Sequence, residues 1–251
     1  MTQQTDPAEV ARIFDAEVAA NEGFTPSWNV APTDPVTVVV QTDQGRLVER
    51  HRWGLIPAWA SSPSDGASRI NARAETVLTS PAFRVAFRRR RCVVPADGFY
   101  EWIRDGSKRK PFLMTPADAL VDEDQGSRLL AFAGLWSIWK DPATGIWVPS
   151  CSVVTTRASD QVSPIHDRMP VILPGETWRT WLDPDIREPG ELLSLLEPAE
   201  DALAIIPVSP LVNSVRNNGP ELIEPLDPQA EAEVRTAAKG RSGAVQQTLF
   251  G

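Results

Sequence analysis

Three short stretches hold side chains able to move protons near neutral pH. PIHDRMPVIL, residues 164–173, contains His166, one of only two histidines in the 251-residue chain. An imidazole changes charge near pH 6.5 or so. A histidine between Pro-Ile and Asp-Arg is therefore either a general acid/base or a buried ring bonded to a carbonyl. GFYEW, residues 98–102, sets Glu101 between Tyr100 and Trp102, where strand alternation would turn it away from both. There it faces solvent, or it is held inside with a raised pKa and exchanges protons near neutrality. Composition alone favours solvent. SRINARAET, residues 68–76, offers Asn71 as a cap between a strand-like Ile70 and a helix-like ARAET, and Arg73 as a partner for a phosphate or for Glu75.

Other stretches suit recognition rather than reaction. RWGLIPAW, residues 52–59, places Trp53 and Trp59 around a proline bend. Tryptophan is usually core, but a partly exposed one is a platform for an unstacked base. RRRR, residues 88–91, is a phosphate patch or the basic end of a helix, evenly balanced. The net charge of −8 argues against a general nucleic-acid binder, yet residues 69–110 carry eleven basic side chains against four acidic ones. A local basic surface can bind phosphates whatever the total charge. Two cysteines, Cys92 and Cys151, each in an apolar run, and two histidines exclude a metal cluster. No metal and no cofactor are expected.

These residues need rigid elements behind them. Asp6, Pro7 and Glu9 read as N-cap, first turn and capping box of a helix with Val10, Ile13, Phe14 and Val18 on one stripe. PVTVVVQTDQGRLVERHRWGLIP predicts a hairpin turning at 43–45. RCVVPADGFYEWIRDGSKRKPFLM predicts a second around 105–106, and LLAFAGLWSIWKDPATGIWVPSCSVVTT a third around 141–145. Ser80-Pro81 reads as a helix start with arginines at its end, and PGETWRTWL and GELLSLL as short helices. The pattern predicts an α+β chain: a mostly antiparallel, barrel-like sheet with peripheral helices. The 23 prolines fit such a loop-rich chain. The polar start and the lack of any long apolar run predict a cytoplasmic, nucleoid-associated protein with no membrane contact.

Together, NVAPT (29–33), RWGLIPAW, INARAET, GFYEW, TTRASD (155–160), IHDRMPVIL and SVRNNGPELIEPL resemble the SOS-response-associated peptidase (SRAP) family, in order and with compatible spacing from about residue 6 to 227. The resemblance implies one SRAP-type catalytic domain, 1–227, that binds single-stranded DNA at abasic sites and forms a protective covalent crosslink. In the family the crosslink forms through an N-terminal cysteine exposed by loss of Met. Its amine condenses with the sugar aldehyde to an imine, and its thiol closes a thiazolidine. An α-amine with a pKa of about 7.7–8.0 has a useful neutral fraction for this. The resemblance assigns Asn71 to positioning the nucleophile and sugar, Glu101 to acid/base work in imine formation, and His166 to proton transfer at the sugar oxygen. Thr155 becomes a pocket residue, and Asn29, Pro32, Trp59, Arg73 and Arg168 line the DNA path. A second Trp frequent in the family is Ala60 here, which implies a weaker stacking wedge.

The start departs from the family: Thr2, Gln3 and Gln4 stand where Cys-Gly-Arg would follow Met. A truncated or miscalled start is the favoured explanation. The alternative is an exposed Thr2 that forms an imine and closes a less stable oxazolidine. The chain as given is expected to bind DNA weakly and to crosslink little. Two further functions stay open: a cysteine-type peptidase limited to self-processing, and a non-catalytic single-stranded DNA binder. The tail, 228–251, reads as a flexible tether, and its QQTLF resembles a sliding-clamp docking motif, with Gln246 as polar anchor and Leu249 and Phe250 as apolar plugs.

Overall fold

Valine-rich runs with no polar alternation demand burial on both faces, and PVTVVV and RCVVPA obtain it. The computed structural model describes residues 1–19, 23–106, 108–117, 129–198 and 203–226. Its strands are β1 (Glu17–Val18), β2 (Pro35–Thr42), β3 (Gly45–Trp53), β4 (Asn71–Arg73), β5 (Arg91–Ala96), β6 (Phe99–Asp105), β7 (Lys108–Pro116), β8 (Leu130–Lys140), β9 (Trp147–Arg157), β10 (Arg168–Pro170) and β11 (Leu203–Pro207). Its α-helices are α1 (Pro7–Phe14), α2 (Arg84–Arg89), α3 (Thr177–Leu182) and α4 (Pro189–Ser194).

Strands β3, β2, β5, β8 and β9 follow one another by hydrogen bonding, and a parallel pairing of Arg52 with Ser150 and Trp53 with Cys151 closes them into a five-stranded barrel. β1 adds to β3, while β4 and β10 add to β9. A separate three-stranded sheet has the order β11-β7-β6. Alternation along the barrel strands feeds two cores. Val39, Val48, Val93 and Val154 pack with Phe14, Phe87, Trp178 and Trp181 from the helices. Val38, Val40, Cys92, Val94 and Val153 pack with Phe99, Ile103, Phe112 and Met114 from the second sheet. The predicted α+β, barrel-like architecture with peripheral helices is the observed one.

Four local expectations are corrected. Asp6 does cap α1, accepting from the Ala8 amide at 2.8 Å, but Glu9 turns to Arg12 instead of completing a capping box. A guanidinium one turn ahead is a stronger partner than a backbone amide. The helix stops at Phe14, where Asp15 takes a left-handed φ of 50°, so Val18 leaves the stripe and lies 41% exposed in β1. α2 begins at Arg84, with a turn over 81–83 in place of the helix start at Ser80-Pro81. The second predicted hairpin divides: its turn at 105–106 joins β6 to β7, but β5 belongs to the barrel.

Arg91 explains part of the basic run. It is 5% exposed and donates to the carbonyls of Phe87 and Arg88 at the end of α2, and of Trp181, Asp183 and Ile186 around the end of α3. One buried guanidinium thus satisfies the orphan carbonyls of two helix ends.

Candidate active site

A cleft of about 660 Å³ opens between the barrel and the second sheet. One wall is β4. It pairs with β9 so that Asn71 faces Val153 and Arg73 faces Thr155. Ala72 between them is fully buried, and alternation therefore turns Asn71 and Arg73 together toward the cleft. Trp53 supports this wall by donating its indole N–H to the Ile70 carbonyl at 2.9 Å.

Glu101 comes from β6 on the opposite side. Its neighbours two residues either way, Phe99 and Ile103, are buried in the core, whereas Tyr100 and Trp102 pack in a separate cluster. Glu101 therefore sits on the core-facing side of the strand, at its open end. The solvent-facing expectation is corrected. Burial raises its pKa to about 7, against the opposing pull of His166 and the amino terminus. Met1 also lines this cleft, and burial lowers the pKa of its α-amine to about 5. A neutral amine thus lies within the electrostatic reach of a carboxyl that holds its proton to near neutrality.

His166 lines the same cleft, half exposed rather than buried. Its Nδ1 lies 3.0 Å from the Arg168 amide and 3.1 Å from the Arg168 carbonyl, so the ring tautomer decides whether it accepts from the one or donates to the other. The Asp167 carboxylate, 3.4 Å from Nδ1, is the partner available to the protonated ring. Arg168 also lines the cleft. Its guanidinium forks onto Glu75, at 2.5 and 3.0 Å, and donates to the Thr155 carbonyl at 2.7 Å, while its Nε is buried without a partner. Arg168 in turn holds the Glu75 carboxyl below its usual range. The proposed pairing of Arg73 with Glu75 is thus replaced, and Arg73 is left exposed in the cleft wall.

Eight sequence-predicted residues converge here: Asn29, Pro32, Asn71, Arg73, Glu101, Thr155, His166 and Arg168. Asn29 is committed structurally. Its amide donates to the carbonyls of Val212, Ser214 and Asn217 at 3.1–3.3 Å, tying a distant turn to the cleft rim. Two residues do not converge. Trp59 is 64% exposed, lies outside the cleft lining, and carries the Arg69 guanidinium 5.7 Å from its ring. Thr2 is 1% exposed. Its amide donates to the Gly98 carbonyl at 2.9 Å, and its hydroxyl points the same way. The expectation of an exposed Thr2 is corrected: the backbone bridge takes it away from the cleft, and Met1 occupies the place instead. Gln246, Leu249 and Phe250 lie outside the described residues.

Gln3 fixes this arrangement. Its buried side chain accepts from the Thr37 amide at 2.9 Å and donates to the carbonyls of Thr37 and Pro95 at 3.0 and 2.7 Å. It acts as a strand partner between β2 and β5, and the Asp97 carboxylate receives the next amide, that of Gln4, at 2.6 Å. The start of the chain is thereby threaded so that residue 1 enters the cleft.

Sequence reasoning missed the far rim. Trp102 donates to Asn213 Oδ1 at 2.6 Å, Asn213 donates to the Arg109 carbonyl at 3.2 Å, and the Arg109 guanidinium lies 4.9 Å from the Trp102 ring centre. All three line the cleft. Their meeting depends on the β6–β7 register and on a turn more than 100 residues away, so no local pattern announces it.

The chain matches the family model described as "SOS response associated peptidase (SRAP)" over residues 1–215. It is 40% identical over 218 residues to the abasic site processing protein YoqW of Bacillus subtilis, covering 86% of this chain and 94% of that one. It is 34% identical over 242 residues to the abasic site processing protein HMCES of Gallus gallus, covering 87% and 72%. Crystal structures of proteins from Bacteroides thetaiotaomicron and Bordetella bronchiseptica each superpose with a TM-score of 0.66. Their identities are 27% and 26%, and they cover 78% and 81% of this chain and 82% and 96% of theirs. With its cleft assembled from the stretches that carry the resemblance, the chain belongs to the SOS response associated peptidase family.

Proposed function

We propose that this protein recognises abasic sites in single-stranded DNA and captures the ring-opened sugar through the amine at the head of the polypeptide. The observation that carries this is the convergence of Asn71, Glu101, His166 and a buried α-amine in one cleft. The printed names of the relatives, abasic site processing proteins, support it.

The chemistry follows from the protonation states. The neutral amine attacks the aldehyde carbon and gives a carbinolamine. The protonated Glu101 donates to its hydroxyl, which leaves as water, and the C=N bond forms with the carbinolamine nitrogen losing a proton. Asn71 and Arg73 hold the sugar and its phosphate. His166 exchanges a proton with the sugar oxygen during ring opening and in the reverse reaction. A thiol on the first residue would then add to the imine carbon and pass its proton to nitrogen, closing a stable ring. Met1 has no such nucleophile, and the Thr2 hydroxyl is turned to Gly98. An imine on the chain as given stays open and reversible.

Peptidase chemistry through either cysteine is disfavoured. Cys92 and Cys151 are both fully buried, and burial pushes both thiols far above the range in which a thiolate forms. Among the described residues, no group of side chains could hold a metal, and no helix is long and apolar enough to cross a membrane.

The decisive experiment incubates abasic single-stranded oligonucleotide with two chains, the given one and one extended to a Met-Cys-Gly-Arg start. The given chain should yield a covalent band only after borohydride reduction, and the extended one a band without it. No band from either under any condition would leave a non-catalytic DNA binder. Docking of residues 246–250 on the sliding clamp is part of the proposal. A clamp pulldown should lose its signal with Leu249→Ala plus Phe250→Ala, and an unchanged signal would remove the clamp as a partner.

A further inference from the structure

Leu78, Arg84, Val85, Arg88 and Arg89 surround a surface depression of about 450 Å³, separate from the cleft. Residues 76–96 contain five arginines and no carboxylate, in a chain of net charge −8. Two of the five are committed. Arg91 is buried against the helix ends, and the Arg90 guanidinium lies 5.5 Å from the Trp136 ring centre. Arg84, Arg88 and Arg89 are exposed, and none takes part in an ion pair among the described residues. Like charges four residues apart on a helix repel each other. Arg88 and Arg89 complement the C-terminal dipole of α2, but Arg84 at its start has no such return, and an anionic ligand would offset the charge of all three.

The depression adjoins the cleft along the chain. β4 ends at Arg73 in the cleft wall, residues 74–76 form a 3-10 turn, and Leu78 already borders the depression. Five residues of chain set an upper limit of about 18 Å between the Cα atoms of Arg73 and Leu78. The Cβ atoms of Arg84 and Arg88, one helical turn apart, are about 5–6 Å from one another. That spacing suits neighbouring phosphates of an extended strand. Leu78 and Val85, the latter 59% exposed, offer apolar contact to a sugar or base.

We propose that this depression is a second binding site for single-stranded DNA, holding two or three backbone phosphates of the strand that runs out of the cleft past Arg73. It rests on the reading of the cleft as a DNA site. It makes affinity depend on the length of the strand beyond the lesion, and carries no information on base sequence.

The test uses the full chain and undamaged single strands of about 6 and about 25 nucleotides, with fluorescence anisotropy over a salt series. The variant is Arg84→Gln, Arg88→Gln, Arg89→Gln. It should bind the short strand within about twofold of wild type. It should lose about tenfold on the long strand at low salt, with the slope of log K against log salt shallower by about 2, near 0.7 per lost phosphate contact. The matching triple lysine variant should recover most of the loss. Should the triple glutamine variant fail to fold by urea titration, single substitutions should each remove about 0.7 from the slope. Unchanged binding of the long strand, or an equal loss on both lengths, overturns the proposal. So does polyglutamate displacing the long strand from wild type as well as nucleic acid does, which would assign the depression to an acidic protein. Borohydride trapping on a short abasic strand reads the cleft independently. Absent trapping with the length effect intact would sink the abasic-site reading and leave the second site standing.

Discussion

At the residue scale the proposed imine chemistry rests on two groups pushed in opposite directions by one cause. Burial raises Glu101 to about 7 and lowers the Met1 amine to about 5. The amine is neutral above about pH 5 and the carboxyl protonated below about pH 7, so the two reactive forms coexist between those values. Borohydride trapping by the chain beginning at Met1 should therefore peak between pH 5 and 7. Glu101→Gln removes the donor. Trapping at pH 6 should fall at least about a hundredfold, and the alkaline limb of the profile should vanish. A variant that kept the alkaline limb would move that role to another group. Short stretches singled out Asn71, Glu101 and His166, but the residues alone favoured a cap and a solvent-facing carboxylate for the first two, and only the family resemblance gave all three a place in one site; the environment of Glu101 was not legible. Tyr100 and Trp102 drew attention by adjacency. The information lay two residues away, in Phe99 and Ile103 on the same strand face.

At the element scale, legibility followed locality. Hairpins with Gly and Asp at the turn, and helices with a cap, appeared near their predicted positions. The barrel closure did not, because a parallel pairing of β3 with β9 joins segments about 100 residues apart and leaves no turn signal. The far rim of the cleft was hidden for the same reason. Two substitutions test how these elements are held. Arg91→Met should leave carbonyls at the ends of α2 and α3 without their charged donor and cost about 3 kcal/mol, read from urea unfolding. Gly134 lies on β8 against β5. A Cβ there would stand 2.8 Å from Cys92 Sγ and 3.0 Å from Val94 Cγ2. Gly134→Ala should cost about 1–3 kcal/mol by overpacking. Adding Cys92→Ala should return part of that loss, a coupling that a double-mutant cycle would measure.

For the whole molecule, the same two titrations set how stability varies with pH. Glu101 has a folded pKa of about 7 against an ordinary 4.5, so its contribution is fully present below 4.5 and is lost as pH rises through 7. The amine is lowered from 8.0 to about 5, so folding is penalised at low pH and the penalty lifts as pH rises toward 8. Between pH 5 and 7 the two slopes oppose. The melting temperature of the chain beginning at Met1 should be nearly flat there, whereas Glu101→Gln should grow more stable with rising pH. Thermal melts at three pH values distinguish the cases.

The threading of residues 2–5 also governs how the protein can be handled in the laboratory. Gln3 and Asp97 hold this segment so that whatever is fused ahead of residue 1 begins its path at the cleft. A bulky purification tag there would compete with DNA for the same space, whereas a short leader ending in a free amine would not. Samples meant for activity measurements need either a carboxy-terminal handle or a leader that a protease removes without leaving a scar.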